Sequence, residues 1–137
     1  MQRTTQPLPL ATLALVLASA RMASAAEPIE ASKALYLRYC ASCHGPGGKG
    51  DGVASSFFRP KPADLTQLTK KNGGTFPFER TMQVIDGRDT PRAHGDPIMP
   101  VWGEIFQAQS GWSINHRAEV QGKIMLITEY LRSIQEK

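Results

Sequence analysis

The clearest hydrophobic pattern lies near the end of the chain, where Val120, Ile124, Ile127, Leu131 and Ile134 recur at spacings of four and three. That spacing places the five side chains in one stripe along an α-helix, and Met125 and Tyr130 widen it. Such a stripe forms core and requires a partner. Near the other end, Ser32 to Tyr39 combines good helix formers with apolar side chains at Leu35, Tyr36 and Tyr39. The two terminal helices are therefore expected to cross. Between them, Phe78 to Asp86 predicts a short helix, with Met82 and Ile85 on one face and Gly87 as its stop. No stretch alternates convincingly as a strand does. The expected order is helix, long loop, short helix, loop, helix, in a single all-α domain, which 137 residues suit without a second one.

The first residues follow another logic. Arg3 precedes an apolar run from Leu8 to Ala20, and Ala23-Ser24-Ala25 has the small-x-small pattern of a signal-peptidase site. A 13-residue run closed by Arg21 falls short of the roughly 20 residues that span a bilayer. This divides the chain into a cleavable signal peptide, residues 1–26, and one domain, residues 27–137, exported to the periplasm without stable membrane insertion. Cleavage removes Arg3 and Arg21 from the 16 basic residues, leaving 14 against 12 acidic ones and lowering the net charge from +4 to +2. A charge so small does not point to nucleic-acid binding.

Both cysteines of the chain lie in Cys40-Ala41-Ser42-Cys43-His44, the C-x-x-C-H pattern of c-type haem attachment. Two thiols three positions apart can each add to one vinyl group of a porphyrin, and the adjacent imidazole is then directed at the iron. A redox disulfide is the alternative in an oxidising compartment, but it calls for a strand ahead of the motif, where Ser32 to Tyr39 reads as helix. A zinc site lacks ligands at suitable spacing, since only His94 and His116 remain. One covalent haem c, held by Cys40 and Cys43 and ligated by His44, is the expectation.

The run Gly45-Pro46-Gly47-Gly48-Lys49-Gly50-Asp51-Gly52 lacks the order of a phosphate-binding loop. A close-approach turn beside a flat cofactor is the better reading, because glycine lets backbone pass where a Cβ would collide. Residues 59–65 are extended by Pro60 and Pro62 and turn at Asp64, a plausible N-cap. A ligating imidazole donates its other N–H to a fixed acceptor. The carbonyl of Pro60 or Pro62 is the expected one, a plain surface loop being the alternative.

For the second axial position the chain offers Met22, Met82, Met99, Met125, His94 and His116. Met22 leaves with the signal, and Met82 and Met125 lie on apolar helical faces and read as core. Met99 lies in Asp96-Pro97-Ile98-Met99-Pro100-Val101-Trp102-Gly103, a loop stiffened by two prolines, as holding a weak thioether ligand requires. His94 and His116 read as polar-loop residues. Trp102 reads as a packing residue whose indole N–H could reach a propionate or another acceptor.

These residues resemble the class I cytochrome c family, particularly its bacterial single-haem type. The marks are Ala34-Leu35-Tyr36 through the C-x-x-C-H motif to Gly45, Lys61 to Thr66, Met99 to Gly103, and Ile127 to Leu131. The resemblance implies an all-α cytochrome c-like fold, with crossing N- and C-terminal helices, Tyr36 meeting Ile127 and Tyr130, and haem enclosed by loops and short helices. It also implies that His44 and Met99 ligate the iron on opposite faces. Ser32 departs from the family, which usually has glycine at the helix crossing. The segment Gln107 to His116 has no counterpart.

The expected function is one-electron transfer without transformation of a small-molecule substrate, so no enzyme activity is expected. The partners are redox proteins met by transient docking. Five basic residues (Lys49, Arg59, Lys61, Lys70, Lys71) face two acidic ones between positions 49 and 71, whereas Asp86 to Glu104 holds four acidic and two basic. That asymmetry suits oriented docking or an ordinary solvated surface equally. The rival readings are a haem subunit of a periplasmic dehydrogenase or oxidase complex, and a haem sensor or peroxidase-like enzyme with open iron.

Overall fold

The computed structural model describes residues 26–89, 99–111 and 113–136. The expected signal peptide falls almost wholly, and His94 and Trp112 entirely, outside them. Six α-helices occur among the described residues, and no strand. They are α1 (Ala26–Tyr39), α2 (Ala41–His44), α3 (Leu68–Lys71), α4 (Phe78–Asp86), α5 (Trp102–Ser110) and α6 (Ile114–Ser133), with 3-10 turns at Ser55–Phe57 and Leu65–Gln67.

The terminal helices pack against each other as the stripes require. Val120, Ile124, Ile127 and Leu131 are buried along α6, and Tyr36 of α1 is wholly enclosed, its ring 4.9 Å from that of Tyr130. Ser32, one turn before Tyr36, is buried too, so a hydroxymethyl group is accommodated where the resemblance leads one to expect glycine. Met125 departs from expectation. It lies one residue, or about 100° of helix, beyond Ile124, and its side chain is exposed rather than core.

Helix α4 has the predicted bounds, and Gly87 ends it at φ 83°. The predicted loop after it, by contrast, contains α5. Phe106 is fully buried against α6, its ring 4.9 Å from that of Tyr39. Gly103 lies so close to Asp86 at the end of α4 that a Cβ there would overlap its carboxylate. The described residues of the segment Gln107 to His116 therefore comprise the end of α5, its cap at Gly111 and the start of α6, capped by Ser113, whose Oγ accepts from the His116 N–H at 3.3 Å. His116 belongs to a helix and not to a polar loop.

Candidate cofactor site

The motif is wound into a single turn. The Cys40 N–H donates to the Tyr36 carbonyl at 2.8 Å, continuing α1, and the His44 N–H donates to the Cys40 carbonyl at 2.9 Å. One helical turn thus places Cys40, Cys43 and His44 on the wall of one cavity of ≈ 650 Å³. Opposing walls come from Phe58 and Pro62, from Leu68 of α3, from Val84 and Ile85 of α4, from Met99 to Trp102, and from Ile127 and Leu131 of α6. The lining is mostly apolar, and the volume lies within the range of about 300–1,000 Å³ usual for ligand pockets.

His44 is held by its Nδ1, whose N–H donates to the Ala63 carbonyl at 2.9 Å. The acceptor is neither Pro60 nor Pro62. The Pro62 carbonyl is pressed instead against Gly50, where any Cβ would overlap it. Fixing Nδ1 as the donor leaves Nε2 as the nitrogen free to ligate. Burial pulls the His44 pKa below its ordinary value, partly offset by the Ala63 bond, which favours the neutral imidazole that a metal needs.

The glycine run does not line the cavity. Two of its tight approaches are between stretches of backbone, Gly52 against Ser42 and Cys43 and Gly50 against Pro62, and two are against the side chains of Asp51 and Ile134. Among the hydrogen bonds that sew it down are the Gly50 N–H to the His44 carbonyl at 2.8 Å, the Leu65 N–H to the Gly48 carbonyl at 2.7 Å, and the Tyr36 hydroxyl to the Gly45 carbonyl at 2.6 Å. The run fastens the ligand turn to the segment holding its acceptor.

Cys40 and Cys43 are not bridged. Burial, reinforced by Cys43, pushes the Cys40 thiol up to about 12, whereas a redox dithiol depends on a depressed thiol pKa. Helix α1, not a strand, precedes the motif. No three of His, Cys, Asp and Glu converge as a metal site among the described residues.

Met99 is half-buried against the core and lines the same cavity as His44. Val101 anchors its loop by packing on Gly87, where a Cβ would overlap the valine side chain. Met82 is half-buried against the core and absent from the cavity wall. Trp102 also lines the cavity, its ring 5.4 Å from Tyr39 and 5.6 Å from Phe106. Sequence reasoning missed the Ala63 carbonyl and the packing of Val101 on Gly87. The first is a backbone group without a side-chain signal, and the second was foreshadowed only by the glycine after α4.

Two thiols, an oriented imidazole and a thioether on the wall of an apolar cavity, within an all-α shell, define a protein built to hold a flat metal-bearing cofactor. A family model described as Cytochrome c matches residues 29–123, and the chain belongs to that family. The match covers both motif cysteines, His44 and Met99 and stops before Ile127 to Leu131. No curated protein and no solved structure gives a significant match. Membership identifies the chain as a haem-binding electron carrier. No helix among the described residues is long and apolar enough to cross a membrane.

Proposed function

We propose that this chain is a periplasmic one-electron carrier bearing a single haem c, bonded through Cys40 and Cys43 and ligated by His44 and Met99. The observation behind this reading is the His44 ring, fixed by Ala63 at Nδ1, lining one cavity with both thiols and the Met99 thioether. The donor set and the apolar lining fit haem c. When bound, its iron supplies the one-electron couple.

The chain's own residues set the conditions of that couple. His44 presents a neutral ring in one tautomer, and its bond to Ala63 raises its basicity. Met99 contributes a neutral, weakly donating sulfur, which favours the reduced state and raises the potential. Ile85, Val84, Ile127 and Leu131 make their part of the cavity wall apolar, so few polar groups there reorganise on a change of charge.

Docking is proposed at the cavity mouth. Arg38, Lys61, Lys71 and Arg80 line the cavity, Arg80 paired with Asp89 at 3.1 Å, with Arg59 and Lys70 exposed nearby in sequence, whereas Lys49 is engaged with Glu136 at 3.0 Å. Val53 and Phe57 are 89% and 85% exposed in the loop hydrogen-bonded to the motif turn. A small apolar contact beside positive charge suits a brief encounter with an acidic redox protein better than a permanent subunit interface. A redox titration of the haem-loaded protein should give a reversible one-electron transition. Carbon monoxide should leave the reduced spectrum unchanged without denaturant, and ready binding would favour a sensor or peroxidase with open iron.

A further inference from the structure

Helix α6 ends at Ser133, and Gln135 and Glu136 beyond it reach across the molecule. The Gln135 side-chain amide makes three hydrogen bonds: Nε2 donates to the Leu131 carbonyl at 2.7 Å and the Leu65 carbonyl at 2.8 Å, and Oε1 accepts from the Thr69 N–H at 2.8 Å. Both amide hydrogens and the oxygen are engaged, one of them capping a helix carbonyl that would otherwise lack a partner. The Glu136 N–H donates to the Thr66 carbonyl at 2.9 Å. Its carboxylate accepts from Gln67 Nε2 at 2.7 Å and pairs with Lys49 of the glycine run at 3.0 Å.

All of these contacts but the helix cap and the Lys49 pair converge on residues 65–69, directly after the carbonyl that holds His44. Asp64 stiffens the link, its Oδ1 accepting from the Thr66 N–H at 2.9 Å and the Thr66 hydroxyl at 2.6 Å. Without the tail, the same stretch keeps its Leu65 bond to Gly48 as its tie to the ligand side.

We infer that Gln135 and Glu136 are positioning residues for His44: the tail past α6 clamps the turn that presents the Ala63 carbonyl, and so sets the firmness of the imidazole's second hydrogen bond. The inference rests on the reading of His44 as the iron ligand. A firm bond makes the imidazole a better donor and stabilises oxidised iron. A loosened clamp therefore raises the reduction potential.

The test uses the full haem-loaded chain. In the reduced protein, NMR follows solvent exchange of the His44 Nδ1–H in the native protein, in Gln135→Ala and in Arg132→Ala. Arg132 pairs with Glu129 at 2.7 Å on the exposed side of α6 and has no contact with the clamp, so its variant is the control. Gln135→Ala should exchange faster by on the order of tenfold to a hundredfold, as expected from losing two or three hydrogen bonds. Its potential should rise while the Met99 charge-transfer band is retained, and Arg132→Ala should match the native protein in both. Native exchange in Gln135→Ala, or an equal change in the control, would overturn the clamp. Should Gln135→Ala not fold, the native protein still decides: the His44 Nδ1–H and the Thr69 and Glu136 amides should exchange through one common opening. A His44 proton that stays protected while those amides exchange defeats the inference. If His44 gives no iron-ligand signature in the native protein, the underlying reading fails first, and separately.

Discussion

Replacing Tyr36 by phenylalanine removes one oxygen from a fully enclosed point between the helices that brace the motif. The hydroxyl donates to the Gly45 carbonyl at 2.6 Å, and the side chain is 0% exposed. Burial, reinforced by Cys40, Tyr130 and Asp51, pushes the phenol far above its ordinary pKa, so it remains a donor throughout the accessible pH range. The Gly45 carbonyl also accepts from the Gly48 N–H at 3.1 Å, so it keeps a partner when the hydroxyl goes. The loss is then one hydrogen bond, not a stranded acceptor, and should cost about 1 kcal/mol. Tyr36→Ala also removes the ring, at about 3–5 kcal/mol for a large core truncation, which includes the contact with Tyr130. Guanidinium unfolding of the haem-loaded protein should show both midpoints lowered, with similar slopes and about a threefold or greater difference in cost. Equal costs would refute the division between hydroxyl and ring, and an alanine cost below about 2 kcal/mol would refute α1 against α6 as the principal packing.

Gly52→Ala would drive a Cβ into the Ser42 carbonyl and the Cys43 backbone, whereas Gly47→Ala meets nothing within 4 Å. The first should lose about 2 kcal/mol or more with reduced haem loading, and the second should be neutral in thermal unfolding and loading. Met99→Ala should lose the far-red sulfur-to-ferric charge-transfer band and lower the reduction potential, and a retained band would place the thioether ligand elsewhere. Asp64 is held below the ordinary carboxylate range chiefly by its bond from the Thr66 hydroxyl, and Glu136 by its bonds from Lys49 and Gln67. A folded-state pKa below the unfolded value means that stability is fully present above about pH 4–5 and is lost as pH falls through the lowered value. Asp64→Asn keeps a capping oxygen but no charge, so its thermal midpoint should decline less steeply below pH 5 than that of the native protein. Parallel acid curves would contradict this.

Local signals were legible, as was the crossing of α1 and α6 from their two apolar faces, whereas the other long-range contacts were not. The C-x-x-C-H turn, the α6 stripe, the bounds of α4 and the Asp64 cap each lie within a few residues of sequence and each depend on short-range geometry. Helix α5 was missed because Gly103 and Ile105 weaken its intrinsic preference, and its burial of Phe106 against α6 is a tertiary effect. Two signs were nonetheless present, a proline just ahead of Trp102 and Gly111 just past Ser110. Met125 departs from the stripe because it follows Ile124 by one residue, about 100° of helix, which turns an apolar side chain toward solvent. The acceptor for His44 depends on which way the chain turns between Pro62 and Asp64, a matter settled by backbone contacts with Gly50. The Gln135 clamp joins positions 66–70 residues apart through polar groups, and no periodicity announces such a pair.

The most direct measurement is the intact mass of the exported protein, produced with haem-maturation machinery and extracted with acid acetone. One haem should be retained per polypeptide, and none when Cys40 and Cys43 are both replaced by alanine. Bare native polypeptide, or colour removed entirely by the extraction, would contradict this.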